Sequence, residues 1–309
     1  MKNLDPFTGM RSADRYVMIS VVVPARNESP VIARTLAAMV SGAVPGEIEV
    51  VVVCNGCTDN TADIARSFGP PVRVIETGIG NKSRALNLGD QAVSSFPRMY
   101  VDADVVIPLA ALRALAARLK DGDALAVAPR ADINCDGATW CVRAYYDVRS
   151  MLPSAREGIG GSGVYAVCET GRRRFGQFPD VTADDGYMRI QFKAHERHTL
   201  ADVNSTVFAP RMLEDLIRIR TRAYLGTVEL ARRYPDLWQN KGDRNHKTVL
   251  GLLWSPLLWP KLAIYCYVNF IARYRALSRV SASSLSWERD NTSRSPVKAV
   301  SRVPEDQRL

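Results

Sequence analysis

MISVVVPARNE (residues 18–28) and IEVVVVCNGCTD (residues 48–59) are built alike. Each is a short β-branched apolar run that ends in a turn signal, Pro24 in the first and Cys54-Asn55-Gly56 in the second. Runs of this kind read as strands buried on both faces. A helical pattern follows each. Val31, Ile32, Leu36, Met39 and Val40 recur at helical spacing after Ser29-Pro30, which supply the cap and first turn. After the second run, Thr58 or Asp59 caps a helix that the spacing carries to Phe68.

The same alternation continues. Residues 72–76 predict a third strand, Gly78-Ile79-Gly80-Asn81 a loop, and residues 82–93 a helix. A fourth strand at 98–101 ends in Asp102-Ala103-Asp104. Strand and helix in this rhythm give an α/β fold, a doubly wound and mostly parallel sheet. Ligands of such sheets bind beyond the carboxyl ends of the strands. The loops 24–28, 54–59, 78–84 and 102–104 all leave a strand at that end, so they should converge on one crevice. Further on, a helix at 109–119 and a strand at 124–129 are expected, then a less regular stretch. A glycine-rich segment, 158–163, leads into a strand at 164–167, and Asp184-Asp185 opens a helix containing Tyr187, Met188, Ile190 and Phe192.

The 309 residues are 47% hydrophobic and 24% charged, enough apolar material for a large core. The first fifteen residues hold no apolar run and read as an N-terminal tail without a secretory signal, predicting a cytoplasmic protein. Of six cysteines, Cys54 and Cys57 form a CxxC. No second CxxC or paired histidines complete a zinc site. A redox pair is the sharper reading and reduced, partly buried thiols the plainer one. The formal charge is +9, and residues 211–279 carry thirteen Lys or Arg against five Asp or Glu. That block can be a solvated face or a surface drawn to anionic lipid. Since no nucleic-acid motif accompanies it, nucleic acid is not an expected partner.

Asp102 and Asp104 are the sharpest chemical feature. Carboxylates at i and i+2 after an apolar strand point to the same side. Mg²⁺ or Mn²⁺ takes one or two such carboxylates together with phosphate oxygens. A metal there would neutralise a diphosphate leaving group. Alone, the tripeptide is equally a solvated turn before Pro108.

PARNE at 24–28, NGCTD at 55–59, GNKSRALN at 80–87 and the DAD at 102–104 occur in this order. Together they resemble the family 2 glycosyltransferases, inverting enzymes of the GT-A fold, over roughly residues 18–195. The resemblance implies transfer of a sugar from a UDP- or GDP-sugar to a hydroxyl acceptor, carbohydrate or lipid-linked, with a divalent metal. It implies that Pro24, Ala25, Arg26 and Glu28 hold the nucleotide, Glu28 near the ribose. Asp102 would lie near ribose or metal, and Asp104 would be the principal metal ligand. Asp184-Asp185 falls where the family has an acidic pair at a helix start, which makes Asp185, then Asp184, the candidate base. The competing role of the pair is to complement the helix dipole. Glycines 160–163 would then pass close to donor sugar or acceptor.

The second loop departs from the family. Cys54-Asn55 stands where an acidic pair is usual, and Asn55 would have to read the base through its amide. Lys82 and Arg84, at a helix start, would clamp the diphosphate or else form a solvated basic face. His195 and His198 read as surface residues. A sugar-phosphate nucleotidyltransferase is an alternative function, although its glycine-rich loop should follow the first strand, where 24–28 holds none. A non-catalytic, membrane-associated nucleotide-sugar-binding protein is another.

The expected organisation is a tail over 1–15, a GT-A-like catalytic domain over 16–210, a helical, basic and apolar region over 211–280, and a disordered tail over 281–309. Residues 249–272 are long enough to span a bilayer. However, Pro256, Pro260 and Lys261 interrupt them. Trp254, Trp259, Tyr265 and Tyr267 with flanking basic residues suit the membrane interface, so the protein is expected peripherally on an anionic inner surface. Core packing or an oligomer contact would use the same residues.

Overall fold

The computed structural model describes residues 18–156, 159–242 and 245–281. The N-terminal tail and, apart from Ser281, the C-terminal tail lie outside the described residues. The strands are β1 (Ile19–Ala25), β2 (Ile48–Asn55), β3 (Val72–Thr77), β4 (Arg98–Val101), β5 (Ala126–Asn134), β6 (Val164–Val167) and β7 (Arg197–Phe208). The helices are α1 (Ile32–Val40), α2 (Thr61–Arg66), α3 (Lys82–Ala92), α4 (Leu109–Lys120), α5 (Trp140–Ser150) and α6 (Pro153–Arg156). They continue with α7 (Glu169–Arg172), α8 (Asp184–Ile190), α9 (Leu213–Arg233), α10 (Pro235–Trp238), α11 (His246–Leu252) and α12 (Trp259–Ser281).

One seven-stranded sheet, in the order β3-β2-β1-β4-β6-β5-β7, forms the centre. Only β6 runs against its neighbours β4 and β5. The remaining pairings are parallel, in keeping with the unbroken apolar runs of β1 and β2. Side-chain alternation divides the core in two. Val21, Val23, Val50, Val52, Met99 and Val101 face α1 and α4. Val22, Val51, Val53 and Tyr100 face α3, α8 and the ring of Phe178. Helix α3 lies close against the sheet because Gly89 meets Val22; a Cβ there would come within 2.3 Å of Val22 Cγ1.

Several expectations are corrected. α1 starts at Ile32 rather than at Ser29, since the Glu28 carbonyl accepts the amides of Val31 and Ile32. β5 runs on to Asn134, because the long edge strand β7 pairs beside it with a register shift after Pro129. Neither β7 nor α5 was foreseen. β7 (RHTLADVNSTVF) is largely polar and is held by its partner rather than by its own pattern. The 249–272 stretch divides into α11, a 3-10 turn at Pro256–Leu258 and α12. Among the described residues no helix is long and apolar enough to cross a membrane. α12 packs on α9 and α5 through Val268, Leu216, Ile217, Val142 and Tyr145.

Candidate active site

The four loops do meet. Asn27, at φ 51°, accepts the Thr58 amide on its side-chain oxygen at 2.7 Å. Its own amide N–H points to Cys57 Sγ at 3.4 Å, and the Glu28 amide donates to Thr61 Oγ1 at 2.8 Å. Asp59 accepts the amides of Thr61 and Ser29, both at 3.1 Å. Although burial opposes it, these bonds hold its pKa below the ordinary value. Asp59 therefore joins the first two loops as well as serving the start of α2. Gly56 packs against Gly80, where a Cβ would meet Gly80 Cα at 2.9 Å. Arg26 crosses the third loop, its Nη1 donating to the Gly80 carbonyl at 3.3 Å.

Cys54 and Cys57 are free thiols. The hydrogen bond between them pushes Cys54 up and brings Cys57 down to about 6, with burial opposing and the Asn27 amide assisting the latter. Asn55 is buried, and its amide nitrogen donates to the carbonyls of Ala25 at 2.9 Å and Val53 at 3.4 Å. That side chain ties β1 to β2, leaving only its carbonyl oxygen for a base.

The centre lies at the ends of β1, β4 and β6. Lys82, the first residue of α3, places Nζ 2.7 Å from Asp102 Oδ1 and 2.8 Å from Asp184 Oδ1. Burial lowers the Lys82 pKa, but the two carboxylates outweigh it and the net shift is upward. Asp102 is pushed up to about 6 by burial, with Lys82 pulling the other way and Asp184 and Asp104 adding to the rise. It lies deep in the cleft, yet 38% of its side-chain surface still meets solvent. Asp102 and Asp184 thus share the Lys82 ammonium, while Asp104 nearby lies in the field of Arg34; a hard cation would offset the negative charge left at Asp102.

Asp104 follows on the same turn. Arg34, stacked 3.7 Å from the Phe208 ring centroid, reaches the Asp104 carbonyl at 3.5 Å, and Thr35 Oγ1 donates to the Ala103 carbonyl at 2.9 Å. These contacts fix the DAD backbone from below. Asp102 and Asp104 provide the hard oxygen donors that Mg²⁺ or Mn²⁺ takes alongside phosphate. Among the described residues no group of three or more His, Cys, Asp or Glu side chains is gathered for a metal. Two carboxylates are the complement that such a cation takes when a diphosphate supplies the other oxygens. His195 is exposed and His198 sits on β7 beside Val127.

The acidic pair on α8 divides its work. Asp184 is buried, paired with Lys82, and accepts from the Tyr165 hydroxyl at 3.3 Å. Asp185 is half-buried and accepts the Gly186 amide at 2.7 Å. A Cβ on Gly160 would stand 3.7 Å from Asp185 Oδ2. Gly163, at φ 65°, accepts the Asp102 amide on its carbonyl at 2.8 Å, and a Cβ on it would strike Val105 Cγ2 at 2.4 Å. The glycine segment thus runs from Asp185 to Asp102. Pro24, Asp102, Gly163, Tyr165, Asp184 and Asp185 line a cavity of about 10 Å³, room for one water.

Not every candidate lies here. Arg84 leaves the opposite face of α3, with Asn87, Leu88 and Gln91, into a hollow of about 440 Å³ closed by Gln177, Phe178 and Asp180. Its amide bonds to Asn81 Oδ1, the cap of α3, at 2.8 Å. Tyr165, conversely, is a site residue that sequence reasoning missed. Its signal was the alternation of Val164–Val167, which turns Tyr165 to the same face as Tyr100, stacked at 5.0 Å.

Known proteins carry the same fold. A mannosyltransferase from Pyrobaculum calidifontis, solved with GDP-Man and Mn²⁺, matches with a TM-score of 0.57 at 20% identity, covering 88% of this chain and 77% of that one. A glucosyl-3-phosphoglycerate synthase from Mycobacterium tuberculosis, solved with Mn²⁺, UDP and glucosyl-3-phosphoglycerate, matches at TM-score 0.52 and 20% identity, covering 70% and 80%. By sequence, a 4,4'-diaponeurosporenoate glycosyltransferase of Staphylococcus aureus is 35% identical over 91 residues, 28% of this chain and 24% of that protein. The chain therefore aligns with about a quarter of that relative's length. The description Glycosyl transferase family 2 fits residues 20–196. With more than half of the chain matched and a GT-A sheet carrying the motif loops at one end, the protein belongs to glycosyl transferase family 2.

Proposed function

We propose that the protein transfers a sugar, with inversion, from a UDP- or GDP-sugar to an acceptor hydroxyl, assisted by a divalent metal at Asp102 and Asp104. The observation that carries this reading is the meeting of Lys82, Asp102 and Asp184 at the ends of β1 and β4, with Asp185 one residue further and facing the glycine segment. When bound, the metal would neutralise the departing diphosphate. Arg26 and the first loop close over the nucleotide side, and Lys82 keeps Asp102 and Asp184 in place. Asp185 takes the acceptor proton as the hydroxyl attacks the anomeric carbon. Asp184, committed to Lys82 and Tyr165, is the positioning member of the pair. Family membership removes the nucleotidyltransferase and the purely non-catalytic readings as competitors.

The test is release of nucleoside diphosphate from a panel of UDP- and GDP-sugars, with Mn²⁺ and with chelator. Turnover of a donor that depends on Mn²⁺ supports the reading, and undiminished turnover in chelator rejects the metal part. The anomer formed, read by NMR, decides inversion.

We also propose that α11 and α12 hold the enzyme on an anionic membrane surface. Trp254 and Leu257 are 90% and 93% exposed, and Leu250, Trp259 and Phe270 are also exposed. Exposed large apolar side chains grouped in this way mark an interaction site.

A further inference from the structure

Beside the proposed base lies a second group of residues that the donor reading does not use. α5 contributes Tyr145, Tyr146 and Arg149, α9 contributes Arg220 and Tyr224, and α12 contributes Tyr265. Tyr145 stacks on Tyr265 at 5.3 Å and 22°, and Tyr146 meets Tyr145 edge-on at 5.3 Å. The Arg220 guanidinium stands 5.3 Å from the Tyr224 ring centroid. Both guanidiniums act electrostatically on Tyr146 and Tyr265, so the two charges bracket the same rings.

Among the described residues neither arginine is held by a carboxylate, unlike several others in the fold. Arg172 pairs with Asp90 at 2.7 Å, Arg174 with Glu196 at 2.6 Å, and Arg113 with Glu47 at 2.5 Å. Among the described residues neither Arg149 nor Arg220 has an ion pair, and the buried Arg220 Nε has no hydrogen-bond partner. The Arg220 guanidinium lies over Tyr224, but its buried Nε is left without an acceptor, and a bound anion would supply one.

The position is equally telling. A Cβ on Gly161 would stand 3.3 Å from Arg149 Nη2, while the adjacent Gly160 faces Asp185 Oδ2. Consecutive Cα atoms lie ~3.8 Å apart, so the guanidinium and the base carboxylate are at most ~14 Å from one another. The other end of the same segment, Gly163, touches Asp102. The arginine pair therefore sits at the Asp185 end of the glycine segment, away from the metal end.

We propose that Arg149 and Arg220 form an acceptor subsite for a phosphoryl group, with the partly exposed rings of Tyr146, Tyr224 and Tyr265 beside the body that carries it. Two guanidinium forks match the several oxygens of a phosphomonoester better than the two of a carboxylate. The inference rests on Asp185 marking the acceptor side. It says nothing about which donor is used.

The test measures binding of glycerol 3-phosphate and geranyl phosphate, with glycerol and geraniol as neutral controls, by calorimetry on the full chain saturated with UDP and Mn²⁺. The phosphorylated probes should bind and the alcohols should not, and Arg149→Gln should weaken the probes at least about tenfold. Arg149→Lys should recover part of the loss, and Arg220→Gln should repeat the effect. Tighter binding of geranyl phosphate than of glycerol 3-phosphate would identify a lipid-borne acceptor, and equal binding a soluble one; both support the subsite. The proposal is overturned if Arg149→Gln and Arg220→Gln bind the probes as the wild type does. Equal binding of the alcohols, or displacement of the probes by UDP and Mn²⁺, would overturn it too. A failure of UDP itself to bind would count against the donor reading alone, because the probes can be titrated without it.

Discussion

With its ammonium 2.7 Å from Asp102 and 2.8 Å from Asp184, Lys82 offsets one of the two carboxylates it touches, and Asp104 nearby raises Asp102 further. A metal ion bound with diphosphate would complete the balance, and Asp104→Ala should remove Mn²⁺-dependent stabilisation by UDP or GDP. Thermal shift with and without Mn²⁺ measures this, and an unchanged shift would place the metal elsewhere. The pH dependence has a definite sign. Because the Asp102 pKa is raised to about 6, the group carries a proton below that pH and loses it above. A metal needs the ionised form, so metal-dependent nucleotide affinity should be full at pH 7.5 and fall steadily below pH 6. Asp185→Asn should leave nucleotide binding nearly intact and reduce turnover by ~10²- to 10⁴-fold, the usual contribution of a positioned base. Loss of nucleotide binding in that variant would move Asp185 to the donor site. Much of this site was legible because a buried strand ending in a polar turn announces where its next residues point. The bridge from Lys82 to Asp184 was not legible, since about a hundred residues separate the two and no local period links them. Arg84 misled for a related reason. A helix start shows which residues are basic but not which side the sheet will cover, and two residues turn a helix by about 200°.

At the scale of elements, what the sequence shows is what local periodicity controls. β1 to β4 and α1 to α4 follow from unbroken apolar runs and a 3.6-residue stripe, and the structure moves their ends by only a few residues. β7 could not be read in that way. Its Arg, His, Asp, Asn and Ser residues favour no strand until β5 offers a partner along its length. The packing of α3 on the sheet depends on one position. A Cβ at residue 89 would lie 2.3 Å from Val22 Cγ1 in the middle of the sheet, where the β-branched side chain has little room to yield. Overpacking of this sort costs ~1–3 kcal/mol, against which alanine recovers up to ~1 kcal/mol of helix propensity. Gly89→Ala should therefore lower Tm by up to about 6 °C in a thermal melt. Since α3 also carries Lys82, nucleotide affinity should weaken alongside. A variant as stable as the wild type would show that α3 can shift outward freely.

For the molecule as a whole, the decisive asymmetry is one of charge: of a formal +9, residues 211–279 carry thirteen Lys or Arg against five Asp or Glu. From Arg244 to Trp287 the sequence holds no Asp or Glu. α12 buries Leu262, Val268, Ala272 and Ala276 against α9 and α5, and turns Tyr267, Phe270, Tyr274 and Leu277 outward. A helix used only for internal packing would show polar residues on that outer face. The attraction to an anionic bilayer then has two parts. Each Lys or Arg near the surface contributes ~1 kcal/mol, which salt screens, and buried apolar surface contributes ~25 cal/mol per Å², which it does not. Full-length protein should sediment with vesicles containing anionic lipid, bind less as salt rises, and retain a remainder at high salt. Trp254→Ala with Leu257→Ala should remove that remainder while leaving the salt-sensitive part. Removing residues from 249 onward should reduce both, although it also strips α12 from α9 and α5, so the double substitution is the cleaner measurement. Protein that stays in the supernatant with anionic vesicles at low salt would reject membrane attachment. If the wild type is then a dimer in sedimentation equilibrium and Trp254→Ala with Leu257→Ala a monomer, the same face joins two copies of the chain instead.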